Sequence, residues 1–239
     1  MPSVDENIVT WDNYDWHNRG HEWSTPWGNT DRQWEITVHP RIRRALARYP
    51  RALEIGPGMG RWTTRLLPDV HHLDVVDVSA KALNGLKILT LSKLLPEIRD
   101  KVDVHLGSGS DLPVKDDSID FVFSFDSLVH ADVDVLNAYL MESARVLHET
   151  RGLGFIHHAN QAGPRHCRGT ATADSVLQGC QKAGLHCYSQ ELTPWVHEQD
   201  GLMDCFTYFG KAPGDLYQRV VTDVLAEANY AKKLAALYG

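Results

Sequence analysis

Between residues 51 and 160, short apolar runs alternate with stretches whose apolar residues recur at helical spacing. This alternation is typical of consecutive βαβ units that share one parallel sheet. The pattern predicts strands at residues 51–55, 73–77, 102–106, 121–125, 153–157, 186–191 and 204–209. It predicts helices at residues 60–67, 80–93, 134–147, 172–183 and 215–237. The predicted fold class is therefore α/β, a doubly wound Rossmann-like sheet with flanking helices.

The first fifty residues differ in composition from the rest of the chain. Five of the seven tryptophans lie in this otherwise polar segment: Trp11, Trp16, Trp23, Trp27 and Trp34. Such a segment predicts an aromatic lid whose indole N–H groups are hydrogen-bonded, or else a cap that touches no ligand. The predicted division of this single domain is a lid at 1–45, a core at 46–212 and a helix at 213–239. The last would cap the core or form the surface of a homo-oligomer.

Composition narrows the functional classes. The net charge is −7, and the 239 residues contain no dense Lys/Arg run, which argues against a nucleic-acid substrate. No stretch of about 18 uncharged apolar residues could span a membrane, and the first residues do not resemble a secretory signal, so we expect a cytoplasmic protein. The four cysteines lack CxxC spacing, which predicts reduced thiols and no zinc site.

A glycine-rich turn follows the first predicted strand, which ends at Glu54. The turn carries Gly56, Gly58 and Gly60. Glycine has no Cβ and can adopt positive φ, so such a turn lets the backbone approach a ligand closely. The GxGxG spacing differs from the GxGxxG of dinucleotide sites, and Arg61 and Trp62 occupy the region of the third glycine of those sites.

Polar residues follow the next three predicted strands. Asp77 ends the second, where its carboxylate could accept hydrogen bonds from both ribose hydroxyls of a nucleoside. Ser108 and Gly109 follow the third, and Phe125 and Asp126 end the fourth. Because ligands of such folds bind at the carboxyl edge of the sheet, these residues predict a binding site there.

The chain resembles class I S-adenosylmethionine-dependent methyltransferases in residues 52–66, 76–79 and 120–125. It is more closely similar to a bacterial group encoded among glycan biosynthesis genes, through residues 23–28 (Trp-Ser-x-Pro-Trp-Gly), 123–130 (Phe-Ser-Phe-Asp-Ser-Leu-Val-His) and 154–158 (Gly-Phe-Ile-His-His). The resemblance spans roughly residues 20–210.

The resemblance implies S-adenosyl-L-methionine as cofactor. Glu54 and the turn 56–60 would hold its methionine moiety, Asp77 its ribose, and Ser108 with Gly109 its adenine edge. Other expected cofactor contacts are Trp27 and Gly28, which would close over it, and Trp62, Val78, Ser79 and Phe125. The family usually has an Asp-Gly pair where this chain has Ser108, so a hydroxyl or a backbone carbonyl would accept the adenine amino group.

Methyl transfer to a hydroxyl requires a positioned nucleophile and a base. His130 is the predicted base, because imidazole suits proton transfer near neutral pH, with Asp126 orienting the substrate or the imidazole. His158 is the second candidate. The residues expected to bind or shape the acceptor site are Trp23, His157, Asn160 and Trp195. Since adjacent strand residues point to opposite faces, only one of His157 and His158 is expected to face the ligand.

Several functional hypotheses remain open from the sequence. The same Asp and His side chains could instead hold a divalent cation such as Mg²⁺. The first hypothesis is a sugar O-methyltransferase acting on a mannoside or a polysaccharide intermediate, as a capping methylation. The second is a methyltransferase of phenols or amines in secondary metabolism. The third is a non-catalytic cofactor-binding subunit, which we would expect to have lost the polar cluster after the fourth and fifth strands.

Overall fold

The computed structural model describes residues 3–160, 168–194 and 201–220, together with Ala226, Glu227, Asn229 and Ala236. Trp195 and Cys167 lie outside the described residues. Within the described part of the chain, no helix has the length and the apolar character needed to cross a bilayer.

One sheet of eight strands organises the protein. The strands are β1 (Arg51–Ile55), β2 (His72–Asp77), β3 (Val102–Leu106), β4 (Phe121–Ser124), β5 (Leu153–Ala159), β6 (His186–Thr193), β7 (Asp204–Gly210) and β8 (Tyr217–Val220). Their order across the sheet is β3-β2-β1-β4-β5-β7-β6-β8. Strands β1 to β5 are parallel, and β7 runs antiparallel to its neighbours β5 and β6. The predicted doubly wound α/β class is confirmed.

The strand order reverses at β1, which has β2 on one side and β4 on the other. In doubly wound sheets the loops after the two strands at such a reversal diverge to opposite faces and leave a crevice that binds ligands. The glycine-rich turn follows β1, and the segment 125–130 follows β4. The topology therefore brings the two segments singled out in the sequence to the same crevice.

The described residues include eight α-helices: α1 (Val4–Asn13), α2 (Thr30–Gln33), α3 (His39–Leu46), α4 (Thr63–Leu66), α5 (Ala80–Gly85), α6 (Pro96–Arg99), α7 (Val133–Val146) and α8 (Ala173–Lys182). The predicted helix 80–93 is divided, because α5 continues as a π-helical turn over Leu86–Thr90 and a 3-10 turn over Leu91–Lys93. Shorter 3-10 turns cover Trp16–Asn18, His21–Trp27, Leu67–Asp69 and Leu128–His130, and a further π-helical turn covers Trp34–Val38.

Two apolar cores cover the two faces of the sheet. Alternate residues of β1 belong to different cores: Ala52 packs with Trp27 and Trp34, whereas Leu53 packs with Leu136 of α7. The part of the N-terminal segment from Trp27 onward, through α3, is thus built into one core. The structural boundary within the predicted lid 1–45 falls before Trp27, and only the residues before it form a separate aromatic cluster.

The C-terminal segment begins differently from the prediction. Tyr217–Val220 were predicted as helix, and this is wrong, because they form β8 and pair in parallel with β6. The edge of β6 offers N–H and C=O groups that a neighbouring strand satisfies and a helix does not. Among the later residues, Ala226, Glu227, Asn229 and Ala236 are helical.

Candidate active site

The glycine-rich turn has the conformation expected from its sequence. Gly56, Gly58 and Gly60 have φ values of +71°, +55° and +95°. A Cβ on Gly56 would overlap Oγ of Ser127, so only glycine fits there. The Gly56 N–H donates to the carbonyl of Val76 (2.8 Å), and the Gly58 N–H donates to Oδ2 of Asp77 (3.0 Å). The end of β2 therefore holds the turn that follows β1.

Asp77 is partly buried at the end of β2. Besides the Gly58 N–H, its carboxylate accepts a hydrogen bond from the N–H of Ser79 (2.9 Å). Burial raises the pKa of Asp77, and the backbone hydrogen bonds from Ser79 and Gly58 oppose that rise. A partly buried carboxylate beside a turn without Cβ atoms is suited to accept hydrogen bonds from a polar ligand.

A cleft of about 860 Å³, partly open to solvent, lies over this turn. Ten of the residues predicted for the site line it: Trp23, Gly56, Gly58, Trp62, Asp77, Val78, Gly109, Phe125, Asp126 and His130. The structure thus brings together residues from the turn, from the ends of β2, β3 and β4, and from the N-terminal segment.

Two residues implied by the resemblance lie away from the cleft wall. Glu54 is 1% exposed and accepts a hydrogen bond from Oγ1 of Thr63 (2.6 Å), and burial raises its pKa to about 8. Trp27 is fully buried in the core, where its Nε1–H donates to Oγ1 of Thr37 (2.8 Å). Each would act on the cofactor only indirectly, through the backbone that it supports.

Four further predicted cofactor residues have structural contacts of their own. Gly28 ends the 3-10 turn His21–Trp27, and Gly60 faces Leu86 and Thr90. Ser79 caps α5 and donates from Oγ to Asp12 (2.6 Å). Ser108 is exposed and donates from Oγ to Asp111 (2.5 Å). Of the expected adenine pair, the structure therefore places Gly109, and not Ser108, at the cleft.

The cleft is roofed by residues that precede Trp27. Trp11, Tyr14, Trp16 and Trp23 contact one another, with ring centroids 5.1–6.0 Å apart. The Nε1–H of Trp11 donates to Oδ1 of Asn7 (3.3 Å), and that of Trp16 donates to the carbonyl of Trp11 (2.9 Å). We call residues 3–26 the aromatic roof.

The aromatic roof is attached to the core at several points. Trp16 packs on Gly58, and Val4 packs on Gly109. The Asn7 side-chain N–H donates to the carbonyl of His130 (3.2 Å), and Nζ of Lys81 donates to the carbonyl of Asp12 (2.8 Å). These contacts close the roof over the turn, so the structure has the form of a covered site.

An ion pair lies inside the cleft. Nη2 of Arg61 donates to Oδ2 of Asp126 (2.6 Å), and both side chains are at most one tenth exposed. Burial alone would raise the pKa of Asp126, but the positive charge of Arg61, with smaller effects from His157 and Arg168, lowers it to about 2. The described hydrogen bond of this carboxylate is to Arg61, so the structure does not give Asp126 the expected contact with the imidazole of His130.

Arg61 also links the core to the aromatic roof. Its guanidinium carbon lies 4.5 Å from the ring centroid of Trp62 and 5.2 Å from that of Trp23. Such positions allow cation–π attraction. The sequence interpretation noted Arg61 only as a departure from dinucleotide motifs; its place directly after the last glycine of the turn is the signal that could have identified it.

His130 ends the 3-10 turn Leu128–His130 that follows β4. Its ring lies edge-on to Trp11 of the aromatic roof, with centroids 5.0 Å apart. His130 and Asp126 therefore line the same cleft from one loop, beside the aromatic rings. Other lining residues that the sequence did not single out are Val4, Asn7, Arg19 and Tyr139.

The two histidines of β5 point to opposite faces, as predicted. His157 receives a hydrogen bond at Nδ1 from the backbone N–H of Asp126 (3.2 Å), and its Nε2 lies 3.1 Å from Oδ2 of Asp204. His158 is buried on the other face, where its ring nitrogens contact the carbonyl of Ala159 and Oγ1 of Thr207 (both 2.7 Å). Burial lowers the pKa of His158 to about 4.

Two further residues, Asn160 and Trp195, were expected to bind or shape the site of the methyl acceptor. Asn160 donates from Nδ2 to the carbonyl of Leu202 (2.6 Å) and accepts from the N–H of Ala173 (2.9 Å), so it joins β5 to the start of α8. Trp195 lies outside the described residues.

The predicted cation ligands are not gathered into one metal site. Asp126 and His157 share only the backbone contact described above, and His158 faces the other side of the sheet. Among residues 3–160, 168–194 and 201–220, the group with ligand atoms within 4.8 Å of one another is His72, Asp74 and Asp103, on β2 and β3. Asp74 already accepts hydrogen bonds from Arg51 (3.0 Å) and His105 (2.9 Å).

Residues 52–150 match the sequence model of a family described as a methyltransferase domain. No curated protein matches the chain in sequence. Solved structures do match the fold. The PH0226 protein of Pyrococcus horikoshii is 16% identical, with a TM-score of 0.60, over 83% of this chain and 99% of that one.

Two other solved structures are named as methyltransferases. The glycopeptide N-methyltransferase MtfA, complexed with S-adenosyl-L-methionine, is 12% identical, with a TM-score of 0.55, over 73% of this chain and 87% of that one. A SAM-dependent methyltransferase from Aquifex aeolicus is 15% identical, with a TM-score of 0.54, over 74% and 91%. At these identities the likeness concerns the fold.

Proposed function

We propose that this chain, whose residues 52–150 match the model of a methyltransferase domain, is a class I S-adenosylmethionine-dependent methyltransferase that methylates a sugar hydroxyl, on a mannoside or on a polysaccharide intermediate. The observation that carries the proposal is the composition of the cleft. Aromatic rings of the roof line this cleft together with the glycine-rich turn and the polar side chains of Asp126 and His130. Aromatic rings pack on the apolar faces of sugars, and the polar groups can bind their hydroxyls.

The residues present fit the cofactor. Gly56 and Gly58 present a turn without Cβ atoms, and Asp77 offers a partly buried carboxylate for the ribose hydroxyls. Val78, Gly109 and Phe125 complete the apolar wall on that side. When bound, S-adenosylmethionine supplies an electrophilic methyl group on a sulfonium sulfur.

The chain's own residues would prepare the nucleophile. His130 accepts the proton of the acceptor hydroxyl as the new carbon–oxygen bond forms and the methyl–sulfur bond breaks. The products are a methyl ether and the demethylated thioether, and His130 then releases its proton to water. Asp126, paired with Arg61, orients the acceptor by accepting a hydrogen bond from a neighbouring hydroxyl, and Trp23 packs on the sugar ring.

An amine acceptor is the second candidate. The cluster of Trp11, Trp16 and Trp23 supports it, because indole faces attract cationic amines. The ion pair of Arg61 with Asp126 argues against it, since this carboxylate is already neutralised and offers a cationic acceptor little net attraction. A phenol could pack on the aromatic rings, but it would offer few hydrogen bonds to Asp126 and His130.

Transfer of labelled methyl groups tests the proposal. Free mannose, methyl mannosides, oligosaccharides, small phenols and amines are each incubated with labelled cofactor and the full-length protein, with Asp77→Ala as the control whose weaker cofactor binding should lower the transfer at limiting cofactor. We expect label in a mannoside, at an oxygen identified by mass spectrometry and NMR. Label that enters only an amine or a phenol would contradict the sugar proposal and leave the methyltransferase assignment standing.

A further inference from the structure

The backbone of Asp126 adopts a conformation that few residues other than glycine tolerate. Its φ is +61°, in the left-handed region, directly after β4. In this conformation its N–H points to β5 and donates to Nδ1 of His157 (3.2 Å). The hydrogen bond therefore stabilises a left-handed turn that costs a residue with a Cβ more than it costs glycine.

This hydrogen bond also fixes the tautomer of His157. Because the N–H of Asp126 is the donor, Nδ1 carries a lone pair, and the ring proton lies on Nε2. From there it is donated to Oδ2 of Asp204 (3.1 Å). A proton on Nδ1 would face another N–H, so His157 cannot serve as a general base while this contact stands.

His157 is held rigidly. Its ring is fully buried, with centroids 4.9 Å from those of both Phe125 and Phe206. Asp204, its partner, is also bound by Arg168 through Nε (2.9 Å) and Nη2 (2.8 Å). His157 is therefore a rigid hydrogen-bond acceptor on β5, and it holds the backbone at the start of the loop after β4.

The chain of contacts continues into the cleft. Once the Asp126 backbone is set, its carboxylate meets Arg61 (2.6 Å), and Arg61 lies against both Trp62 and Trp23. We propose that His157 is a positioning residue, which holds Asp126 in its left-handed conformation and so aims the Asp126–Arg61 pair at the acceptor. The inference rests on the proposed function only in naming the acceptor.

Two variants separate positioning from proton transfer. His157→Gln keeps one acceptor and one donor but cannot act as a base. His157→Phe keeps a flat ring without either, and Asp204 still has Arg168 as partner, so no buried carboxylate is left alone. We expect His157→Phe to lower kcat/KM for the acceptor about 10²-fold, mainly through KM, as misplaced groups do.

His157→Gln should retain activity within about tenfold of the wild type, because it restores both contacts. The matched control is His148→Gln, at the C-terminus of α7, where Nδ1 has no hydrogen bond in the described structure. If His157→Gln loses as much activity as His157→Phe, with both folded, the imidazole itself takes part in the reaction and the proposal is wrong. Wild-type activity in His157→Phe would equally overturn it.

A stability cycle tests the same inference without any acceptor. The melting temperatures of wild type, His157→Phe, Asp126→Gly and the double variant are compared. Glycine adopts the left-handed conformation without support, so the drop caused by His157→Phe should be roughly half as large in the Asp126→Gly background. Equal drops in both backgrounds would show that His157 does not support the left-handed conformation of residue 126. This outcome is independent of whether a sugar is methylated.

Discussion

Trp16 packs directly on Gly58: a Cβ on this glycine would lie 2.8 Å from Cη2 of the indole. The contact joins the aromatic roof to the turn that is proposed to hold the cofactor. Roof position and turn conformation are therefore coupled through one glycine, and a change at that glycine should affect both.

Gly58→Ala should lower stability and cofactor affinity together. The left-handed φ of +55° costs about 1–2 kcal/mol for a residue with a Cβ, and the new methyl group would also displace Trp16. Gly184→Ala is the matched control, because Gly184 has φ +74° but nothing within 4 Å of its Cβ position. Urea unfolding and calorimetry with S-adenosylmethionine measure the two effects. If Gly58→Ala binds the cofactor as tightly as the wild type, the position of the roof and the conformation of the turn are not coupled through Gly58.

Asp77→Ala should weaken cofactor binding by about 1–3 kcal/mol, the cost of losing hydrogen bonds to a charged acceptor. Asp103→Ala, on the neighbouring strand β3 and largely exposed, is the control. Calorimetry with S-adenosylmethionine and its demethylated product measures the change. Tight binding of NAD, without binding of either nucleoside, would contradict the role proposed for Asp77.

His130→Ala should lower turnover roughly 10²–10⁴-fold, the range for loss of a positioned proton acceptor, while cofactor affinity stays nearly intact. The wild-type rate should be higher where the imidazole is neutral, because only the neutral ring can accept the proton, and the variant should lack this dependence on pH. His130→Gln, which keeps much of the contact with Trp11, separates loss of the base from loosening of the roof. Wild-type turnover in His130→Ala would show that His130 is not the base.

Glu54→Gln should become more stable than the wild type as pH rises. Burial raises the pKa of Glu54 from 4.5 to about 8, so the folded state keeps a proton that the unfolded state has lost. The wild type therefore loses stability between pH 4.5 and 8, by roughly 2–4 kcal/mol from this group. Glutamine has no such proton and can still accept from Thr63. The free energy of unfolding is measured from unfolding curves at pH 5 and 8.5, with exposed Glu97→Gln as control. It should fall by the same amount between these pH values in the wild type and in the control, and by less in Glu54→Gln.

The sequence predicted the sheet well because its signals are local. Apolar runs of strand length and the three glycines after β1 each act within a few residues. The strand period also predicted that His157 and His158 would diverge. β8 escaped prediction because Tyr217–Val220 form a strand only where the edge of β6 is available.

The side-chain contacts of the site depended on long-range packing. Glu54 shares a face of β1 with Ala52 and therefore points into the core, where it meets Thr63, although its motif suggested direct contact with the cofactor. Asp126 was expected to orient the substrate or the imidazole of His130, but its carboxylate is hydrogen-bonded to Arg61, 65 residues earlier in the chain.

Short-range periodicity and backbone preference are enough to specify a doubly wound sheet that presents a glycine-rich turn and polar strand ends at one edge. Long-range packing is needed to place Trp16 on Gly58, to pair Arg61 with Asp126, and to bring His157 to the backbone after β4. These are contacts between segments 31 to 65 residues apart. Such contacts form because several elements are packed at once, and local sequence carries no signal of which partner will be within reach.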